Sequence, residues 1–316
     1  MRSLALVCLL TVLGSASAAY ADEGWLHLRT FPDVTEREGH GARHAQLYIY
    51  DAQGEVVHSG SGAGAWDAGV DVPLDEGWYY TSVGTQQSTW NLQKLYVAAD
   101  HVTIVPSGMV SALTLPLDEQ PRSGCNEWNA ELTVFIRDDE GREHLIATNR
   151  GSGVRDFGMI QVPAGEVVVH FNGLPTTVDV LADHDNRMPL GYQDPLMGDL
   201  PQLAIAPEDA ESNIRVSLCN DGAMHVPAGT YYASSIVEIP TYPFQQRQWV
   251  TVEVAPTDDH GPSELRTNRV SHRVWTGEGS TPAELGAADA EVLERLRSGG
   301  GGEGGGGGPS LGGFGR

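Results

Sequence analysis

Ile160-Gln161-Val162-Pro163-Ala164-Gly165-Glu166-Val167 and His225-Val226-Pro227-Ala228-Gly229-Thr230-Tyr231-Tyr232 are two copies of one phrase: a short apolar strand, Val-Pro, one residue, Gly, and a second alternating run. A longer copy, Val70-Asp71-Val72-Pro73-Leu74-Asp75-Glu76-Gly77-Trp78-Tyr79-Tyr80, puts three residues between Pro and Gly, and Val105-Pro106-Ser107-Gly108 is a plainer echo. Pro suits the second position of a β-turn, where its φ is already set, and in the shorter copies Gly suits the fourth. Each copy therefore predicts strand, tight turn, strand, and the chain is built from repeated β units.

Outward from these phrases, the openings of two units align. Ala45-Gln46-Leu47-Tyr48-Ile49-Tyr50 before Asp51-Ala52-Gln53-Gly54 matches Ala130-Glu131-Leu132-Thr133-Val134-Phe135-Ile136 before Asp138-Asp139-Glu140-Gly141. Each is an alternating strand closed by an acidic, Gly-ended hairpin loop. Further short strands follow, so 22–118 and 126–221 are each expected to form a β-sandwich. Residues 222–276 make a partial third unit whose small core favours packing on the second.

Thr281-Pro282-Ala283-Glu284 offers an N-cap Thr, Pro at the first helical position and Glu at the third. Leu285, Val292, Leu293 and Leu296 then share one face, which predicts an amphipathic helix over 281–298 that docks on the protein's own sandwich. Residues 299–316 are mostly Gly, and so Gly-rich a segment is expected to be a disordered tail.

At the other end, Met1-Arg2-Ser3, the apolar run Leu4 to Leu13 and the small residues Gly14 to Ala18 have the three parts of a secretory signal peptide, expected over 1–21. That run is shorter than the roughly 20 apolar residues that span a bilayer, so no membrane span is expected. The destination is periplasmic or extracellular. There, Cys125 and Cys219 form the natural disulfide pair, with two buried free thiols as the alternative.

A formal charge of -23 at pH 7, from 42 acidic against 19 basic residues, argues against a nucleic-acid partner, because phosphate recognition needs clustered Lys and Arg. Lys94 is the only Lys. The Gly-rich stretch Ser59 to Ala65 lacks the Gly-Lys-Ser/Thr ending of a phosphate loop. His40 and His44 precede a strand rather than sharing a helix face, and Asp183-His184-Asp185-Asn186 and Asp258-Asp259-His260-Gly261 lack the spacing of an EF-hand loop, so they read as acidic turns, with structural calcium the alternative. No Gly-x-Ser-x-Gly, Ser-x-x-Lys or Cys-His arrangement is present, and no catalytic residue, metal or cofactor is assigned.

Aromatic residues concentrate in the first unit. Trp78, Tyr80 and Trp90 are the candidate ligand rings, because exposed rings on a sandwich can stack on sugars or anchor a protein. The competing reading is that they fill cores and rims.

Val162-Pro163-Ala164-Gly165 and Val226-Pro227-Ala228-Gly229-Thr230-Tyr231-Tyr232 resemble the Pro-x-Gly-x-Tyr turn of bacterial PEGA-type and carboxypeptidase-regulatory-like repeats. The resemblance implies small immunoglobulin-like or transthyretin-like sandwiches serving as accessory or adhesive modules at the cell envelope, with no site residues carried over. The expectation is an all-β, exported, non-catalytic structural or interaction protein with a protein or glycan partner. A carbohydrate-binding module using the first unit's rings and a hydrolase with an unrecognised carboxylate site are the alternatives.

Overall fold

The computed structural model describes residues 23–32, 42–43, 45–60, 69–111, 131–150, 159–171, 173–188, 190–193, 204–207, 224–237, 246–256, 261–270 and 272–299. The expected signal peptide, Cys125, Cys219, His40, His44 and the Gly-rich tail beyond Gly299 lie outside the described residues. The fold is all-β, with one short helix near the C-terminus.

The first sandwich is made by β1 (Glu23–Leu28), β3 (Gln46–Tyr50), β4 (Val56–Gly60), β5 (Val70–Asp75), β6 (Gly77–Gly84), β7 (Gln93–Val97) and β8 (His101–Val105), whereas β2 (Ala42–Arg43), between β1 and β3 in the chain, runs parallel to Met159 and Ile160 in a sheet of the second sandwich. In one sheet β1 lies between β5, antiparallel, and β8, parallel; the other has the order β4-β3-β6-β7. Strand alternation turns Leu26, Leu28, Leu47, Ile49, Val83, Leu95, Val97 and Val105 into the core between them.

The second sandwich repeats this plan strand for strand, with β9 (Ser107–Ser111), β10 (Glu131–Arg137), β11 (Glu143–Arg150), β12 (Met159–Pro163), β13 (Gly165–Phe171), β14 (Leu174–Val180) and β15 (His184–Arg187). Here β9 lies between β12, antiparallel, and β15, parallel, opposite a sheet of order β11-β10-β13-β14. Its core holds Val110, Leu132, Val134, Ile160, Val162, Val169, Phe171 and Val180.

Local chemistry repeats with the topology. Asp51 Oδ1 accepts from Gln53 N and Glu55 N, as Asp138 Oδ1 accepts from Glu140 N and Arg142 N. His101 and His184 each place Nδ1 within hydrogen-bond distance of a carbonyl two residues back, of Ala99 at 2.6 Å and of Ala182 at 2.7 Å. The residues before them, Asp100 and Asp183, share a left-handed backbone with φ 58° and 61°.

A third copy begins with β16 (Leu190–Gln193), β17 (Ala204–Pro207), β18 (Met224–Pro227), β19 (Gly229–Val237) and β20 (Gln246–Val254). β16 pairs with β18, and β17-β19-β20 form a sheet, matching β9 with β12 and β10-β13-β14.

The Val-Pro phrase is a corner between sheets rather than a hairpin turn. β5 joins β1 whereas β6 joins β3 and β7; β12 joins β9 whereas β13 joins β10 and β14; β18 joins β16 whereas β19 joins β17 and β20. One residue separates the two strands each time, and the Gly after it supplies the bend, with φ 118° at Gly165. Pro, which cannot donate to a ladder, sits in an edge strand or at a strand end. The echo Val105-Pro106-Ser107 instead carries the chain from β8 into β9. β9 lies within the expected first unit (22–118), and its partners β12 and β15 are strands of the expected second unit (126–221).

After β20 the chain turns back. β21 (Ser263–Glu264) pairs with β15, and β22 (Arg273–Val274) runs parallel to β8, so the span expected as a partial third unit (222–276) reaches both earlier sandwiches. A 3-10 turn, Ala287–Asp289, then leads into helix α1 (Ala290–Gly299). The helix expected from Thr281 begins later because Ala283 N–H donates to the Lys94 carbonyl, which holds this stretch extended.

Candidate functional site

The period of two along β6 separates its aromatics. Tyr79 packs toward the first core, whereas Trp78 and Tyr80 face outward beside Lys94 and Tyr96 of β7 and Tyr48 and Tyr50 of β3. The sequence expectation placed ligand rings on this face. The returning segment covers it.

Tyr80 is only 4% exposed, packed with Tyr48, Tyr50, Leu92 and Leu296, with Leu285, Val292 and Leu293 against them. Its hydroxyl donates to Asp289 Oδ1 at 2.7 Å, and Lys94 Nζ donates to the same oxygen at 2.5 Å. Gly286 N–H donates to Asp289 Oδ2 at 2.9 Å, closing the turn ahead of α1. Lys94 Nζ also lies 5.5 Å and 5.6 Å from the Trp78 and Tyr80 ring centroids, within cation–π range. Burial and the neighbouring Asp289 push the Tyr80 hydroxyl up to about 12. Burial would raise the Asp289 carboxyl, but its hydrogen bonds to Lys94, Tyr80 and Gly286 outweigh that and hold it below the ordinary carboxylate value.

Trp78 is half-buried, edge-on to Tyr96 at 5.3 Å, with Gly279 of the returning segment so close that a Cβ there would collide with both residues. Trp90 lies elsewhere, at a three-way junction. It stacks on His144 of the second unit at 3.6 Å, and the Arg297 guanidinium of α1 lies over its ring at 4.1 Å. His144 Nε2 in turn meets Asp138 Oδ2 at 2.8 Å, and the hydrogen bond from His144, aided by Arg142, holds the Asp138 carboxyl well below the usual range. The three candidate rings thus do not converge on an open platform: two lie under the chain's own C-terminal segment and the third ties three parts of the fold together.

Two buried polar residues, neither singled out from sequence, serve similar ends. His27 is fully buried; its Nδ1 lies 2.5 Å from Asp71 Oδ1, and its Nε2 faces Asn268 Nδ2 at 3.1 Å. Thr30 N–H donates to Asn268 Oδ1, which orients the amide and makes His27 Nε2 the acceptor, leaving Nδ1–H to donate to Asp71. Gln161 accepts from Ala45 N–H at 3.2 Å and donates to the Arg29 carbonyl at 2.8 Å and Ser107 Oγ at 2.9 Å. It therefore joins β12 to the first sandwich and to the link between the two.

The acidic run Asp183-His184-Asp185-Asn186 spends its side chains separately. Asp183 pairs with Arg29, Asp185 accepts from Ser111 Oγ at 2.6 Å, and the Asn186 amide bonds the backbone of Leu181 and Met109. Among the described residues, no three His, Cys, Asp or Glu side chains gather as a metal site requires. Among the described residues, too, no helix is long and apolar enough to cross a membrane.

No protein-family model and no curated protein matches the sequence. Among solved structures, similarity is found to the Bacillus anthracis TIE protein, with 11% identity and a TM-score of 0.19 over 74% of this chain and 48% of that one. A Streptococcal ancillary pilin shows 11% identity and a TM-score of 0.18, covering 79% of this chain and 99% of the pilin. BcpA, the major pilin subunit of Bacillus cereus, shows 10% identity and a TM-score of 0.20, covering 78% and 100%. This chain spans about half the length of the TIE protein chain.

Proposed function

We propose that this protein is an exported, non-catalytic structural or interaction protein of the bacterial cell envelope or exterior. The observation that carries the reading is what its interior polar groups do. His27, Gln161, Asp289 and Asn186 each bond strands or segments distant in sequence, inside a sandwich plan that recurs along the chain. Tandem modules held by interlocking contacts suit a protein whose product is shape and spacing rather than turnover. The apolar leader at the N-terminus and the resemblance of the Val-Pro-Ala-Gly corners to PEGA-type and carboxypeptidase-regulatory-like repeats support placement at the envelope.

Cross-linking in intact cells, with fractionation and identification of the attached species, tests this reading. Recovery from the envelope or medium bound to a protein or glycan supports it. Recovery from the cytoplasm, or a purified chain that turns over a substrate, overturns it.

A further inference from the structure

We propose that His27 is an acid-operated latch: protonation of its buried imidazole releases Asn268 and lifts the stretch 266–270 off the outer face of β1. The device is built into the fold and does not depend on which partner the protein takes.

Strand alternation turns Leu26 and Leu28 into the first core, so Trp25 and His27 face outward. There the returning segment meets both, with His272 stacked on Trp25 at 3.9 Å and Asn268 set against His27. Asn268 is held in one orientation. Its backbone N–H donates to the Thr30 carbonyl at 3.2 Å and its Oδ1 accepts from Thr30 N–H at 2.9 Å, so turning the amide over would set Nδ2 against that N–H. Nδ2 is thereby aimed at His27 Nε2, 3.1 Å away, a bond that exists only while Nε2 keeps its lone pair.

A proton on His27 makes both ring nitrogens donors. Nδ1–H keeps Asp71 Oδ1 at 2.5 Å, and that carboxylate favours the imidazolium, whereas Nε2–H now confronts the Asn268 N–H. Water does not relieve the conflict while the stretch is closed. His27 is fully buried, Asn268 is 7% exposed, and a Cβ on Gly69 would lie 2.6 Å from His27 Cε1 and 2.8 Å from Asn268 Nδ2, so backbone seals that side. Opening lets Nε2–H reach water, so the proton binds the open form better and acid shifts the population toward it. Closure is therefore complete above the pH range in which imidazoles titrate and is lost as pH falls through it.

The other charged groups around the ring leave Asp71 in control. β8 places Ile104 beside His27, and Arg29, the next outward residue along β1, is paired with Asp183. On the returning segment Arg266 and Arg269 are exposed to screening solvent, and His272 lies over Trp25. The ends of the stretch are anchored independently. Leu265 packs with Phe31, Met109 and Met159 and donates its N–H to the Asp183 carbonyl at 2.8 Å, while Arg273 and Val274 pair with β8. The loosening is confined to the residues between these anchors.

Nuclear magnetic resonance of the full chain tests the latch, with imidazole shifts reporting protonation of His27 and amide exchange, corrected for intrinsic rates, reporting closure. Between about pH 8 and about pH 5, protection at the Thr30 and Asn268 amides should fall about tenfold or more, in step with His27, while 290–299 stays protected. Asp71→Asn should move the transition down by about one pH unit, because the imidazolium loses its counter-charge. Asn268→Asp should invert it: a carboxylate at this position accepts from the imidazolium, so the stretch closes in acid and loosens as pH rises. His272→Gln should leave the transition in place. A His27 that stays neutral to about pH 4, one that titrates with no loss of protection, or an Asn268→Asp dependence that keeps the wild-type sign or vanishes would each overturn the proposal, as would a transition abolished by His272→Gln.

Discussion

Lys94 and Asp289 are joined across 195 residues of sequence by an ion pair, Nζ to Oδ1 at 2.5 Å, and this pair fastens the C-terminal segment to the first sandwich. Lys94 is the only lysine of the chain, and Asp289 is the residue that turns the backbone into α1. Lys94→Met keeps the aliphatic stem against Trp78 and Tyr80 but leaves the buried carboxylate with two donors instead of three. The cost should fall between that of an exposed pair and that of a fully buried one, about 2–4 kcal/mol. Denaturant unfolding should register the loss, and amide exchange should quicken across 287–298 while the second sandwich keeps its protection.

The same cluster should make attachment of that segment depend on pH at both extremes. The Asp289 carboxyl is held below its ordinary value of 3.8, so its contribution is complete above that pH and is lost as pH falls through the lowered value. The Tyr80 hydroxyl is raised from 10.0 to about 12, so its contribution is complete below pH 10 and is lost as pH rises toward 12. Attachment of helix α1 should therefore begin to weaken as pH falls below about 4 and as it rises above about 10. Exchange at 290–299 and ultraviolet titration of tyrosinate would follow the two limbs, and Tyr80→Phe should remove the alkaline one and reduce the acid one, because the Tyr80 hydroxyl is one of the donors that lower the Asp289 carboxyl.

Much of the β character was legible because alternation and Gly-Pro punctuation are local signals, and the loops closed by Gly54 and Gly141 were read from them correctly. Pairing is not local. Nothing within Ile160 to Val167 tells whether the strands on either side of Ala164 face each other or enter different sheets; that is decided by β9 and β10, which supply their neighbours. For the same reason Val105-Pro106-Ser107-Gly108 reads as a turn and serves as the link into β9. Thr281 to Glu284 carries a sound helix-start pattern, yet Ala283 is drawn into a bridge with Lys94, and a tertiary bond overrides the local preference. Trp78, Tyr80 and Trp90 were legible as a concentration of rings. Their cover comes from residues about 200 positions away, which only the folded chain brings together.

Gln161→Leu should uncouple the two sandwiches. The substitution preserves size but strands Ala45 N–H, the Arg29 carbonyl and Ser107 Oγ in a buried setting. Each lost partner costs about 1–3 kcal/mol, less than additively, so a total near 3–5 kcal/mol is expected. Calorimetry distinguishes coupling from general destabilisation. A variant whose first and second units melt in separate transitions fits the role of Gln161 as a joint, whereas a single transition at lower temperature would make it an ordinary core residue.

Gly24 and Gly108 should respond alike to Ala, because the repeat gives them the same task. Register places both in the middle strand of a three-strand group: Leu26 pairs with Val72 and Thr103, and Val110 pairs with Ile160 and Asn186. Two residues before each, a Cβ on Gly24 would strike the Ala98 carbonyl and one on Gly108 the Leu181 carbonyl. Those carbonyls cannot withdraw easily, since each opens the tight connection whose Asp, Asp100 or Asp183, already holds a positive φ. Gly24→Ala and Gly108→Ala should each cost about 1–3 kcal/mol through overpacking. Gly261→Ala, with open space around the site, should stay within about 0.5 kcal/mol. Met188-Pro189-Leu190-Gly191 repeats the pattern Val105-Pro106-Ser107-Gly108 at the start of β16, which extends the same expectation to Gly191. Equal penalties at Gly24 and Gly108 in urea unfolding would establish that the repeat governs packing as well as topology; a neutral Gly108→Ala would break the equivalence at its most constrained point.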